Sequence, residues 1–296
     1  MSHPTSRFYD RAFNGINYTL LILFSLLCIY PFYYVFIYSI SIPAEAQKGI
    51  YLLPAGFTWA NFEMVFRLND IAQAFFISVS RTVIGTAITI ICSSFFSYLV
   101  AQREMNWRKT VYRFTIFTMY FNAGIIPWYL TMKGLGLKDN FLLYVIPTAI
   151  TPFFVILIKT YMEQIPGSLS ESAKIDGAGP IRIFSSVIFP ISKPIVATIA
   201  VFSAVGQWGA WFDNFLLVSR PDLQTLQLIL YNYLNSSQSI ANLSQLDLTR
   251  GDAARALTPQ SIKATITILT TLPILFVYPW IQKYFVKGIM LGAVKG

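Results

Sequence analysis

Charge is scarce in this sequence. Asp, Glu, Lys and Arg make up 12% of the 296 residues while hydrophobic types make up 55%, against a charged share of about 25% in soluble domains. Water is therefore not the main solvent of the chain. Histidine is almost missing: the single copy, His3, lies in a polar N-terminal tail, which removes the commonest general base and metal ligand from any interior site. The two cysteines, Cys28 and Cys92, fall inside apolar stretches without metal-ligand spacing, and read as buried free thiols. No H-E-x-x-H and no G-x-S-x-G occurs, so a membrane-embedded enzyme would lack its metal set or nucleophile. The phosphate-cradling pattern G-x-x-x-x-G-K-[ST] is also missing, so the chain has no usual means of binding ATP.

What is present is apolar and aromatic, with 25 Phe, 17 Tyr and 6 Trp, and a net charge of +9. In so apolar a chain the positive balance points to a membrane surface and not to nucleic acid. Cutting at charged residues leaves uncharged runs at 12–44, 82–102, 114–132, 140–158, 194–212 and 264–282. Each approaches the ~20 residues that cross a bilayer core at 1.5 Å rise. Lacking strand-like alternation, and with no water to satisfy the backbone, the runs read as helices. The expected class is an all-α polytopic membrane protein with six transmembrane helices in one domain, 1–296. The expected spans are 14–42, 74–101, 111–132, 140–161, 194–218 and 262–284.

Lys and Arg set the orientation. With the N-terminus inside, inner segments hold 13 of the 22 basic residues and only 5 of the 13 acids. Nearly all the net charge then lies on one face, and the positive-inside rule places both termini in the cytoplasm. Lys48, Arg67, Arg81 and Arg220 count among the outer charges on this scheme. The first apolar run is too long for a signal peptide and is read as retained. Within the outer loop 45–71, LPAGFTWANFEMVF predicts a short amphipathic helix on the membrane surface. The outer loop 220–263 is longer, polar and rich in Asn, Ser and Gln, and large enough to touch an outside partner. Prolines 127, 147, 152, 273 and 279 are expected to kink helices.

The most organised connector is 159–194. Pro166 and Gly167 break one helix, Ser168 and Glu171 have capping-box spacing for the next, and Gly177 supplies its left-handed stop. A further helical stretch is expected from Pro180, with Ile181, Phe184 and Ile188 apolar, ending before Pro190. The result is a capped helix, 168–177, presented parallel to the inner membrane surface. It is read either as a docking element or as an ordinary amphipathic loop helix. In the fifth run Gln207, Trp211 and Asn214 fall at i, i+4 and i+7, one face of a continuous helix, with Trp208 and Asp213 beside them. Polar groups at membrane depth face protein or water, so these residues either line a path or bond neighbouring helices. Asp213, near the outer end, is expected to be solvated. Tyr120 and Asn122 are further path candidates, although Asn122-Ala123-Gly124 could serve close helix packing.

ESAKIDGAG followed by VIFP resembles the EAA loop of ABC-importer permeases. Glu171, Ala173, Gly177 and Pro190 stand at the family positions, and Ser172, Val187 and Phe189 are mild departures. IDGAGPIRIFSSVIFPISKPIVAT, GQWGAWFDNF and YPWIQKYFVKGIMLGAVKG look like the carbohydrate branch of these permeases, that of the maltose permease subunits. FNAGIIPWYLTMKGLGLKDN looks like lipoprotein-associated polysaccharide permeases, whose relatives handle plant or algal fragments rich in uronic acids. The resemblance implies a type I ABC importer permease fold with a cytoplasmic coupling helix. It also implies a second homologous permease, two ATP-binding subunits and an extracytoplasmic solute-binding protein. ATP and Mg would sit on the partner ATPase, with no cofactor or catalysis on this chain, and the cargo would be an oligosaccharide, alginate- or pectin-derived if acidic. Glu171, Ser172, Ala173, Asp176, Gly177 and Pro190 would be the ATPase-coupling residues. A stand-alone secondary sugar transporter is the alternative, but the runs offer it no buried acid pair for a driving ion.

Overall fold

The computed structural model describes residues 4–67, 71–235 and 258–293. Helices come in the order α1 (Pro4–Ser39), α2 (Pro43–Ala46), α3 (Ala60–Arg67), α4 (Ile71–Ala101), α5 (Arg108–Tyr120) and α6 (Ile125–Gly134). A 3₁₀ turn at Phe141–Tyr144 precedes α7 (Pro152–Met162) and α8 (Gly167–Ile175). The remainder are α9 (Pro180–Ile191), α10 (Lys193–Gly209), α11 (Phe212–Leu217), α12 (Leu226–Asn235) and α13 (Pro259–Ala293). Among the described residues there is no strand, only one isolated bridge between Ser41 and Phe57.

Among the described residues, three helical stretches are long and apolar enough to cross a membrane: Phe13–Ser39, Ile71–Ala101 and Pro259–Val277. A fourth arises if α9 and α10, bent by 82° at Ser192, count together. Six uninterrupted helices are not what the chain forms. The third apolar run is split into α5 and α6, the fourth becomes a 3₁₀ turn, an irregular stretch and α7, and the fifth is split into α10 and α11. Length in uncharged residues registers hydrophobicity but not continuity of the hydrogen-bond ladder. The prolines behave differently from expectation as well. Pro127 and Pro152 sit in the first turns of α6 and α7, where the missing N–H costs nothing, while Pro273 and Pro279 do lie inside α13.

The chain divides into two compact units. The first contains residues up to 68 and 233–271. Its core gathers Ile37, Tyr38, Ala46, Ile50 and Ala264. Tyr33 donates its hydroxyl to Leu52 O at 2.6 Å and Tyr30 to Tyr51 O at 3.2 Å, folding the post-α1 loop back on the helix. The predicted surface helix exists as α3, but its apolar side is covered by protein: Val65 and Asn61 are buried. Cys28 is free as expected, yet exposed on α1, and Cys92 is only half-buried. The middle of the polar 220–263 loop, 236–257, lies outside the described residues, as does His3.

The second unit, 69–232 with 272–296, is built around α4, which packs against α7 and α10. One cluster, Tyr98, Ile158, Met162, Ile183, Ile188 and Ile199, closes one end of that contact, and another, Ile77, Leu137, Leu143, Tyr144, Val145, Leu217 and Val218, closes the other. In the first unit, Asn61 Nδ2 donates to both Ser39 O and Ser41 O at 2.8 Å. Asn61→Ala leaves two carbonyls without a partner and should lower stability by about 1–3 kcal/mol, read as a lower melting temperature of the purified complex.

Candidate functional site

The functional part of the second unit starts from a stripe on α4 at near-fourfold spacing: Ser78, Arg81, Gly85, Thr89, Ser93 and Ser97, all buried. These groups have a defined task. The irregular chain between the 3₁₀ turn and α7 leaves carbonyls that a helix would have satisfied, and in lipid none can go unpaired. Thr89 Oγ1 donates to Thr148 O at 3.0 Å and Ser93 Oγ to Ala149 O at 3.2 Å, while Ser97 Oγ reaches Ser93 O in its own helix at 2.6 Å and Val155 O inside α7 at 3.2 Å. Ser78 Oγ accepts the amide of Leu226 at 2.8 Å. Small polar side chains thus let α4 approach closely and complete the hydrogen bonding of a broken neighbour.

Arg81 is the largest fully buried side chain, 2% exposed, and it was counted above as an outer-loop charge. It lies ten residues inside α4 and needs a counter-charge, which Asp213 supplies: Nη2 to Oδ2 is 2.6 Å and Nη1 to Oδ1 is 3.1 Å. Asp213 is therefore an ion-pair partner and not the simply solvated acid expected. Arg81 Nε also donates to Gln207 Oε1 at 3.0 Å and Nη1 to Ala210 O at 3.2 Å, and the guanidinium lies 4.5 Å over the Tyr144 ring. Gln207 Nε2 in turn donates to Tyr144 O and Thr148 Oγ1. Asn214, fully buried, donates to the Tyr144 hydroxyl, which donates to Leu223 O. Gly85 makes room for this: a Cβ there would stand 2.6 Å from Gln207 Nε2 and 2.8 Å from its Cδ.

The one-face arrangement of Gln207, Trp211 and Asn214 does not form, because α10 stops at Gly209. Ala210 is extended (φ −75°, ψ 129°), and α11 begins afresh at Phe212. The break turns Gln207 and Asn214 into the interior and Trp208 against Phe75, edge-on at 6.2 Å. Trp211 stacks on Tyr231 at 4.1 Å. The third run breaks at the matching place, where Asn122 Oδ1 accepts the amide of Gly124 (φ +88°). Within the chain itself, a Cβ at Gly124 would meet nothing within 4 Å. The two breaks face a common cavity of about 500 Å³ lined by Asn122, Gly124, Trp128, Trp211, Phe212 and Asp213. Irregular backbone at membrane depth is tolerated where it borders a water-filled space, and this volume is in the range of small-molecule sites. Tyr120, 80% exposed, lies just before the break and outside the cavity lining.

The far end of α4, about 30 Å from Arg81 by helical rise, carries the predicted docking element. α8 runs Gly167–Ile175 with no buried residue; Glu171, Ser172 and Asp176 are exposed and Ala173 half-buried. The Ser168/Glu171 capping box does not form, since Pro166 is the N-cap and no side chain caps the helix. The stop is as expected: Gly177 has φ +81°, its amide reaches Lys174 O, and the Ala178 amide reaches Ala173 O at 2.9 Å, a Schellman arrangement. α9 does not end before Pro190. A π turn, in which the Phe189 amide bonds Phe184 O, carries the helix through to Ile191, because the proline then has no ladder position left to vacate. Lys174 bridges to Glu104 at 2.6 Å, and that contact holds Lys174 protonated above the usual lysine range. A polar cleft of about 550 Å³ lies between α8 and the 102–104 turn. At the opposite end, Asp139 accepts the amides of Ser219 and Arg220, the first of which chiefly holds its carboxylate below the usual range.

The second unit thus carries an exposed, glycine-stopped helix at one end of α4 and a cavity at paired helix breaks toward the other. The family model described as binding-protein-dependent transport system inner membrane component matches residues 4–291. The chain belongs to this family. The permease is 37% identical over 289 residues to Protein LplC of Bacillus subtilis (strain 168), covering 97% of this chain and 96% of that one. It is 35% identical over 288 residues to the polygalacturonan/rhamnogalacturonan transport system permease protein YtcP of the same organism, covering 97% and 99%. Among solved structures, a bacterial ABC transporter involved in the import of the acidic polysaccharide alginate has a similar chain. It shows 30% identity and a TM-score of 0.85, covering 96% of the permease and 99% of that chain. The permease therefore has the type I importer permease fold.

Sequence reasoning missed Arg81, Gly85, Tyr144 and Thr148. The first had a signal: a lone arginine in a helix otherwise free of charge from Ile71 to Ala101, and a lone aspartate in the fifth apolar run, are each other's natural partner. Removing either partner of a buried pair costs about 3–5 kcal/mol. Arg81→Met and Asp213→Leu should each lower the melting temperature of the purified complex sharply, and the double variant should lose much less than the sum. Gly85→Val should mimic the single variants by displacing Gln207.

Proposed function

We propose that this permease is one of two membrane subunits of an ATP-binding-cassette importer, and that with a second permease it forms the path for an oligosaccharide handed over by a solute-binding protein. ATP and Mg belong to two separate ATP-binding subunits. The chain crosses the plasma membrane six times with both termini in the cytoplasm, its third, fourth and fifth crossings broken, and residues 163–193 form the cytoplasmic coupling loop of a single permease domain.

The observation that carries this reading is α8. A nine-residue helix with no buried residue, fixed at its end by Gly177 and flanked by the exposed apolar side chains Ile175 and Ile181, has little reason to exist in an isolated chain. Its residues match the family's coupling motif. Glu171 and Asp176 offer polar contacts, Ser172 and Ala173 permit close approach, Gly177 provides the turn, and Pro190 fixes the return through α9. Force on α8 passes to α9, which packs against the α4 and α7 end through Ile183 and Ile188. From there it passes along α10 to the break at Ala210.

Asn122, Trp211 and Asp213 would meet the sugar, the tryptophan by its ring face and the polar groups by hydrogen bonds. Gln207, Trp208 and Asn214 would hold that wall in place, and Tyr120 would border the path beyond it. Relatives named for polygalacturonan and alginate import support an acidic, uronate-type cargo.

Reconstitution of the four-subunit complex with its binding protein should give ATP turnover stimulated by trigalacturonate, and turnover indifferent to every oligosaccharide supplied would end this reading. Valine at Gly177 has space for its side chain but not the backbone angle, a strain of about 1–3 kcal/mol. Gly177→Val should therefore leave membrane insertion unchanged and cut uptake about tenfold per mole of ATP hydrolysed. Unchanged uptake would mean that α8 does not transmit the work.

A further inference from the structure

We infer that Lys109 and Arg113 on α5 read the charge of the substrate, meeting the carboxylates of an acidic oligosaccharide along the path that leads away from the helix-break cavity. This inference rests on the oligosaccharide reading above and adds where the anion is recognised.

The cavity itself offers an anion nothing. Its charged lining residue is Asp213, which would repel a carboxylate. The cation behind it, Arg81, is buried and already makes four hydrogen bonds, two of them to that aspartate. The pair is neutral and closed. A uronate ring could stack on Trp211 or Trp128 there, but its counter-charge has to come from elsewhere.

α5 leads from the cavity's edge at Asn122 back toward the end of α4 that carries α8. Thr115 faces the protein interior, while Lys109, Arg113, Phe117 and Tyr120 are exposed at i, i+4, i+8 and i+11, a single stripe about 17 Å long. Among the described residues neither Lys109 nor Arg113 has an acidic partner. Of the cations nearby, Arg108 and Lys159 share Glu163 and Lys174 holds Glu104, while Arg103 in the preceding turn is exposed and likewise without an ion pair. Two cations left unpaired on one face, continuous with the rings of Phe117 and Tyr120 on a stripe that ends two residues before the cavity-lining Asn122, match an acidic sugar in both of its properties. Ring faces stack on Phe117 and Tyr120, and carboxylates meet the ammonium and guanidinium. Their exposure to water is also suited to transport, because screened contacts are weak and a path must release what it binds.

The test uses the four-subunit complex with its binding protein in proteoliposomes, and compares uptake of trigalacturonate with uptake of its carboxyl-reduced trisaccharide. In Lys109→Gln/Arg113→Gln the ratio of acidic to neutral uptake should fall about fivefold to tenfold, and Lys109→Arg/Arg113→Lys should restore it. An equal fall for both sugars, or no fall, overturns the inference while leaving the importer reading intact. A defect that instead tracks the phosphatidylglycerol content of the vesicles assigns the stripe to lipid headgroups and overturns it too. A wild-type complex that imports neither trisaccharide overturns the oligosaccharide reading and this one with it.

Discussion

The second unit is organised by one buried ion pair. Arg81 and Asp213 come from helices that are far apart in sequence, and an unpaired member of such a pair has no water to turn to. Their contact fixes how α10 and α11 stand against α4, and the remaining donors of Arg81 fix Gln207 and the carbonyl at the helix break. Gln207 then secures the Tyr144 carbonyl and Thr148, so the irregular fourth segment takes its place from the same anchor. Gly85 is small because Gln207 has to cross α4 at that point.

The breaks in the third and fifth segments follow the same logic. A backbone that leaves the helical ladder within a membrane must find partners or water, and here it finds both. Asn122 caps its own turn, Arg81 takes the carbonyl of Ala210, and the open side of both breaks faces the cavity. At the other end of α4, α8 presents a surface that its own chain does not cover, joined to the core through α9.

Much of this was legible from residue order. The positions of the six apolar segments and the glycine stop at 177 are local properties, set by hydropathy and by φ at one residue. The polar and aromatic residues of the fifth segment were legible as types and not as geometry. Helical periodicity put Gln207, Trp211 and Asn214 on one face, but it assumes a continuous helix, and Ala210 is extended. Ser168 and Glu171 have the spacing of a capping box, but Pro166 already begins α8 and no bond between them forms. Arg81 was misplaced because a charge was taken to end an apolar run, when its partner lay more than a hundred residues away.

The sequence by itself determined the solvent of this protein, the number and order of its apolar segments and its lack of a phosphate-binding loop, because each depends on composition or on residues close in the chain. The tertiary structure alone decided which helices break, that Asp213 neutralises Arg81, that Gln207 and Asn214 are buried while Asn122 and Trp211 border a cavity, and which cations on α5 remain unpaired. Those outcomes depend on long-range pairing of polar groups in a medium that cannot satisfy them, and no local pattern encodes which partner each will find.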